Sequence, residues 1–476
     1  MGLQRNVVDV GWDPPEMPKL WRYNLHYFDD VGSPDAARTL GDLIRLMVRW
    51  VNDNPPGVGT GWEPYPCSQR IVNWSKWRLA GHEFPEGCAH SLAVQARWLS
   101  NHVEHHLFGN HLFLNGKALL FAGSIFEGPE AGSWARVGAR ILAEELPEQI
   151  LADGGQFERS PMYHALALED ILDLVNLRRA IGAHADHPVN HIADECERRA
   201  SGMRRWLRAM THPDGEISFF NDAAMGVAPT MAELDAYAGR LGMEVLEPLS
   251  DGIVLLQASG YVRMQHGDAV VIMDVAPLGP DYLPGHGHAD TLSIELSVAG
   301  RRWLVNSGTS TYEWGPERLR QRGTAAHNTV VLNGANSSDV WGSFRVGRRA
   351  RPLGLKVSSE SDGLSVTCSH DGYAHGRRAA VHTRQVRLRD RVLEVLDSVP
   401  PGMDAEARWH LGPGLTLEPG SSRLLAGTAE VACVESRPGP VRVLASSWHP
   451  RFGAVVPNVA LASSSRSGSL GLVIRW

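Results

Sequence analysis

The sequence predicts a chain of two parts, an array of α-helices followed by antiparallel β-strands. Three observations carry this. Up to about residue 245 apolar residues recur three and four apart, the helical period. From about residue 253 they alternate or run as short Val/Ile/Leu-rich stretches. Those stretches are broken by Gly, Asn-Gly and Asp-Gly at intervals of roughly ten residues, the rhythm of stacked antiparallel sheets rather than a parallel α/β domain. The switch falls in EVLEPLSDGIVLLQASGY, around 246–258, so the expected parts are 1–250 and 251–476. A chain of 476 residues is too long for one compact core, which agrees with two.

Each element has its own signal. SPDAARTLGDLIRLMVRWVNDN opens with a Ser-Pro cap and stops at Asn-Pro-Pro. AHSLAVQARWLSNHVEHHLF, SWARVGARILAEELPEQIL, SPMYHALALEDILDLVNLRRAIG and TMAELDAYAGRLG repeat the pattern with Gly- and Pro-bearing joints. The strand signals follow as DAVVIMDVAP, LSIELSVAGRRWLVNSG, HNTVVLNG, LSVTCSH, HTRQVRLRDRVLEVLDSV and GPVRVLASSW.

Bulk properties narrow the function. Apolar residues make up 43% and charged ones 21%, ordinary for a globular chain. The formal charge of −7 argues against nucleic acid as partner, although a local basic patch can still bind an acidic ligand. Five scattered cysteines form no C-x-x-C pair, so neither a disulfide framework nor a cysteine zinc site is expected. The first twenty residues carry no apolar core of signal-peptide type, and no apolar run is long enough for a transmembrane helix.

Four stretches could carry chemistry. In DGGQFERSPMYH, Ser160 caps a helix, Pro161 takes its first position, and Tyr163 lies in the first turn. The positive end of the helix dipole favours a phenolate there, so Tyr163 reads either as a ring that packs the helix entry or as a proton-transfer group, with Glu158, Arg159 and His164 crowding the same turn. In FGNHLFLNGKALLFAG, His111 and Asn115 share a helix face beside Asn110, either as bonded core groups or as groove lining. In LPGHGHADTLSIEL, His286 and His288 share a strand face with Asp290 two residues on, a metal or acid–base pattern, and His327 is a further candidate. Arg318, Arg320, Arg322, Arg345, Arg348, Arg349 and Arg351 form either a solvated face or a platform for carboxylate or sulfate. Seven of the fifteen tryptophans precede residue 100, Trp74 among them beside Asn73, and such rings either pack a core or stack on sugars.

Taken in order, KLWRYNLHYFDD, WEPYPCSQRIVNW, GNHLFLNGKALLFAG, DGGQFERSPMYH, HPDGEISFFND, GHGHADTLSIEL and GTAAHNTVVLNG resemble the heparinase II/III family of polysaccharide lyases over residues 19–335. The resemblance implies an incomplete (α/α) toroid followed by an antiparallel β-sandwich. It also implies β-elimination on a uronate-containing polysaccharide at the cell envelope or periplasm; the absence of a visible leader leaves the cytoplasm as the alternative. By motif, Asn110 is similar to the family's carboxylate-neutralising asparagine with His111 beside it, Tyr163 to the acid/base tyrosine, and His286 to the histidine that works opposite. Asn73, Trp74, Glu158, Arg159 and Arg322 are the expected substrate contacts. The family's zinc ligands fall at His288, Asn306 and His327; Asn306 stands where an aspartate is expected, which leaves a vestigial site, replacement by Asp290, or hydrogen bonds alone. Other readings of the same residues are a glycoside hydrolase using two of Glu158, Glu169, Asp170 and Asp222, and a non-catalytic glycan-binding or exopolysaccharide-assembly protein.

Overall fold

A computed structural model describes residues 7–32, 39–375 and 378–476. The Ser-Pro start of the first predicted helix, at 33–34, lies outside them. The helical part comprises α1 (Val7–Val10), α2 (Lys19–Leu25), α3 (Leu40–Asp53), α4 (Pro64–Leu79), α5 (Cys88–Ser100), α6 (Gly109–Ile125), α7 (Pro129–Gln149), α8 (Pro161–Ile181), α9 (Val189–Ala209) and α10 (Met231–Arg240). No helix among the described residues is long and apolar enough to cross a membrane.

Helix α6 is the hub, packed against α4, α5, α7 and α8 and buried on every side from Leu112 to Gly123. Glycines permit its closeness to α7: a Cβ on Gly138 would lie 2.5 Å from the Gly116 carbonyl oxygen, and one on Gly123 2.5 Å from the Ala135 nitrogen. Helix α8 starts as expected, with the Ser160 hydroxyl accepting from the Tyr163 N–H and Pro161 in the first turn. It ends at Gly182, whose φ of +58° closes the last turn in the left-handed region. Of the early tryptophans, Trp50, Trp62 and Trp74 serve the core rather than a sugar, whereas Trp77 lines the cleft between the two parts. The Trp50 ring lies 6.0 Å from that of Trp62 and 5.9 Å from that of Trp74, centroid to centroid, and Trp74 is wholly buried.

The β part opens with a five-stranded antiparallel meander of Gly252–Leu256, Tyr261–His266, Ala269–Asp274, Ile294–Val298 and Arg301–Leu304. An eight-stranded sheet runs in the order Leu415–Leu417, Arg423–Ala426, Ala429–Arg437, Ser469–Arg475, Val392–Ser398, Arg378–Arg389, Gly363–His375, Pro352–Glu360. A four-stranded sheet runs Arg442–Trp448, Val456–Ser465, Ala405–His410, Val330–Leu332. A short helix, α11 (Pro316–Arg322), interrupts the strands. The helical core does not stop at the switch, because Leu256, Tyr261, Val270, Ile272 and Phe452 belong to the same apolar cluster as α4, α6 and α8.

Candidate active site

A cleft of about 2380 Å³ runs between the two parts. Asn110, His111, Glu158 and Tyr163 line it from the helical side, and His286, Tyr312 and Phe344 from the β side. Asn73 also lines it, its amide donating to the Tyr27 carbonyl and the Asp29 carboxylate, each at 2.9 Å.

At its centre the Tyr163 and His286 rings lie 4.2 Å apart, centroid to centroid. The Tyr163 hydroxyl is 2.9 Å from that of Tyr312, which arrives on the loop before α11. Burial, then the charges of Tyr312 and Asp222, push the Tyr163 phenol well above its ordinary pKa. This corrects the expectation from the helix dipole: the first turn is there, but desolvation and two neighbouring carboxylates outweigh it, and Tyr163 stands protonated.

His286 is oriented by Asp222, whose carboxylate accepts its Nδ1–H at 2.8 Å. Nε2 is thus left to take or give a proton, 3.8 Å from Glu158. Asp222 is the keystone of the site. Wholly buried, it also accepts from both terminal nitrogens of Arg318, from His288 Nε2 at 2.9 Å and from the Thr309 hydroxyl at 3.1 Å. Burial alone would raise its carboxyl pKa; the Arg318 guanidinium and the histidine hydrogen bonds hold it well below the usual carboxylate range. Glu158 has no such cation and burial raises it. His111 leans on Tyr65, 4.5 Å between centroids, with Nδ1 3.1 Å from Glu104. Asn115 is a bonded core group, its carbonyl oxygen accepting from the Glu104 N–H at 2.9 Å.

Backbone strain marks these positions. Phe108, Arg159 and Asn221 have φ of 56°, 61° and 57°, two, four and one residues ahead of Asn110, Tyr163 and Asp222. Such conformations cost of order 1–3 kcal/mol each and persist where surrounding contacts enforce them. At Arg159 the enforcement is visible, since its carbonyl accepts from the Tyr261 hydroxyl at 2.6 Å and the Asn221 amide at 3.1 Å.

Several expected contacts serve the scaffold instead. The Arg159 guanidinium donates to the Pro277 and Gly279 carbonyls at 2.8 and 2.7 Å. Arg322, fully buried, donates to the Gly287 carbonyl at 3.0 and 3.2 Å and so fixes the turn between the two histidines. That turn demands glycine, because a Cβ on Gly287 would sit 2.1 Å from Leu278 Cδ2. Neither arginine lines the cleft, and Trp74 does not reach it either. The basic run is no anion platform: Arg318 pairs with Asp222, Arg320 with Glu317, Arg348 with Asp339 and Arg349 with Asp281, leaving Arg345 in the cleft wall. Beneath His286, the buried donors of His288, Asp290 and His327 lie within 4.8 Å of one another, a set that fits zinc. Asn306 is not part of it. Its side chain accepts from the Asn328 N–H at 3.2 Å and faces the Ser293 hydroxyl at 3.5 Å.

Sequence reasoning missed Tyr312 as a site residue, saw Arg318 only as part of a basic run and saw Asp222 only as a hydrolase candidate. For Asp222 the signal was its place in HPDGEISFFND, one of the resembling stretches.

Two family models match, Heparinase II/III N-terminus over residues 43–239 and Heparinase II/III-like, C-terminal over 250–476. The heparin-sulfate lyase of Pedobacter heparinus is 24% identical over 360 residues, covering 67% of this chain and 51% of that protein. The heparin-sulfate lyase of Bacteroides stercoris is 27% identical over 382 residues, covering 68% and 55%. The chain thus spans about half the length of these curated relatives. A crystal structure of heparinase III superposes with a TM-score of 0.72 at 18% identity, covering 96% of this chain and 76% of that one. With the two models matched in order over 43–239 and 250–476, most of its length, the chain belongs to the heparinase II/III family.

Proposed function

We propose that this chain is a polysaccharide lyase that breaks a uronate-containing glycan by β-elimination, as the names of its relatives suggest for them. The observation that carries the reading is the contact of a phenol from the helical part with an imidazole from the β part, in one cleft that Asn110 also lines. Elimination needs the uronate carboxylate neutralised, the C5 proton removed and the O4 oxygen protonated as it leaves. Asn110 is the neutral donor for the carboxylate. Glu158, raised by burial, donates rather than repels when it carries its proton. His286 Nε2, freed by the Asp222 contact to Nδ1, takes the C5 proton. Tyr163, held protonated, gives its proton to O4. The Tyr163 and Tyr312 hydroxyls share one hydrogen bond in which either can donate; with Tyr312 as donor, the Tyr163 hydrogen is free to face the substrate. A hydrolase is disfavoured because Asp222, locked against Arg318 and two histidines, is not available as nucleophile or base.

The cleft wall narrows the substrate. Its cations are Lys19, Lys76, Arg240, Arg345 and Arg451, with carboxylates Asp29, Glu158, Glu169, Asp173, Glu233 and Glu313 among them. Lys19 and Lys76 are already paired, with Glu63 at 2.9 Å and Asp173 at 2.6 Å. So balanced a wall suits a glycan bearing carboxylates and few sulfates. The helices pair as α4–α6, α6–α7 and α8–α9, and together with the stacked sheets they support an incomplete toroid beside a β-sandwich.

The test is incubation with unsulfated and sulfated uronate glycans, following the ultraviolet absorbance of the new C4–C5 double bond. New reducing ends without that absorbance mean hydrolysis, and binding without either means a glycan-binding protein; each of those results defeats the reading.

A further inference from the structure

We infer that Arg345 and Arg451 form a second anion subsite on the β side of the cleft, which takes the carboxylate of the next uronate along the glycan while Phe344 and Trp314 stack on the sugar between. The inference rests on the uronate-glycan reading of the cleft and adds a second carboxylate contact to it.

A row of rings leads out from the reacting pair. The His286 centroid lies 5.7 Å from that of Phe344 and 5.8 Å from that of Tyr312. Tyr312 in turn lies 5.3 Å from Phe344 and 4.9 Å from Phe452. The row is fixed from behind. The buried Arg318 guanidinium sits 5.1 Å from the Tyr312 centroid and 5.4 Å from that of Phe344, and Asp222 holds both its terminal nitrogens. Phe452 is buried, but Phe344 is 42% exposed and Trp314, two residues after Tyr312, is 76% exposed. Both line the cleft. Open rings that continue a packed row inside a groove are a binding surface, and their flat faces suit the C–H face of a sugar.

The two arginines stand beside this row. Arg345 follows Phe344 and faces Trp341 across the hairpin of Val340–Trp341 and Arg345–Val346. Arg451 precedes Phe452. Both are exposed and line the cleft, and among the described residues neither meets a carboxylate within ion-pair distance. The other cleft cations are engaged: Lys19 with Glu63, Lys76 with Asp173, and Arg240 over the Tyr237 ring at 5.3 Å. An anionic ligand therefore finds its free charge at these two forks, and a planar fork takes a carboxylate bidentately. Asn110 and Glu158 serve the reacting uronate from the helical side. Arg345 and Arg451 lie across the cleft on the outer side of the ring row, so the group they meet belongs to another sugar. In a glycan of alternating acidic and neutral sugars, that group is the carboxylate of the next sugar but one.

The experiment is calorimetric titration of the full chain carrying Tyr163→Phe, so that binding is read without turnover. The probes are an unsulfated glucuronate–N-acetylglucosamine hexasaccharide and the same hexasaccharide with its carboxylates reduced to alcohols. Adding Arg345→Gln or Arg451→Gln is expected to weaken binding of the acidic hexasaccharide roughly tenfold and to leave the reduced one within about twofold. Trp314→Ala is expected to weaken both alike, by about fivefold, because stacking ignores the charge. All three positions are exposed, so the melting temperature is expected to hold. With Tyr163 intact, each arginine variant is expected to raise KM roughly tenfold with kcat within about twofold, the mark of a contact away from the reacting sugar. No binding of the acidic hexasaccharide, unchanged affinity in either arginine variant, an equal loss on the reduced glycan, or a fall in kcat with KM unmoved overturns the subsite. A chain that binds in the expected pattern yet produces no ultraviolet absorbance supports the subsite and defeats the lyase reading alone.

Discussion

Asp222 stands between two histidines, 2.8 Å from His286 Nδ1 and 2.9 Å from His288 Nε2. One residue faces the cleft and the other is buried beneath it, so a single carboxylate sets the tautomer of both. The arrangement makes several outcomes measurable.

Tyr163→Phe removes the proton donor and little else, because the ring still packs on His286. The expected result is a loss of elimination of roughly 10²–10⁴-fold with an unchanged melting temperature. Retained activity in that variant sinks the role given to Tyr163.

Tyr312→Phe removes one hydroxyl facing Tyr163. Here kcat is expected to fall by roughly tenfold or more while KM moves less than about twofold, since the contact matters when charge develops on Tyr163. A rise in KM alone would make Tyr312 a sugar contact instead.

Asp222→Asn strands the buried Arg318 guanidinium. Breaking such a pair costs about 3–5 kcal/mol. Urea unfolding should show that loss, together with absent elimination; a variant as stable as the wild type contradicts the keystone role.

Acidification is expected to weaken the fold through its buried histidines. Burial holds His26 and His164 down to about 3. Above the unfolded value near 6.5 both states are neutral and nothing is lost. Below it the unfolded chain takes protons the folded chain refuses, so stability falls by about 1.4 kcal/mol per pH unit per histidine until the folded value is reached. Denaturant titrations between about pH 7 and pH 5 check the slope. His164→Gln should flatten it, and a slope indifferent to that substitution refutes the assignment.

Substrate choice follows from the cleft wall. An unsulfated glucuronate glycan is expected to be cleaved with a kcat/KM at least about tenfold above that for heparin, a difference of about 1.4 kcal/mol. The reverse order would show that the paired lysines and the carboxylates around them do not govern selection.

Local signals in the sequence reached far into the fold. Ser160-Pro161 announced α8 to the residue, because a cap and a first-turn proline act on neighbouring backbone alone. The strand runs 294–298 and 301–304 were equally legible from alternation and the Ala-Gly turn. Helix α4 was harder. Its residues are buried on several faces, Arg70 and Trp74 alike, so no polar stripe betrays the period. At the site, Tyr163 and His286 could be named from motifs, but their contact could not be, since 123 positions separate them in the chain numbering. Arg159 and Arg322 misled for a related reason. A guanidinium reads as an anion binder until its carbonyl partners, at Pro277 and Gly287, are seen. Tyr163's proton affinity also depended on desolvation, which no local rule for helix starts contains.

The apolar cluster shared by α4, α6, α8 and the first meander has a practical corollary. Tyr261, Val270 and Ile272 form one side of a seam whose other side is helical. A fragment ending near Gly252 would bare that greasy wall to water. Such a truncation is expected to precipitate on expression, and the intact chain to melt in one calorimetric step, so gene splitting is a poor route to crystals of either half.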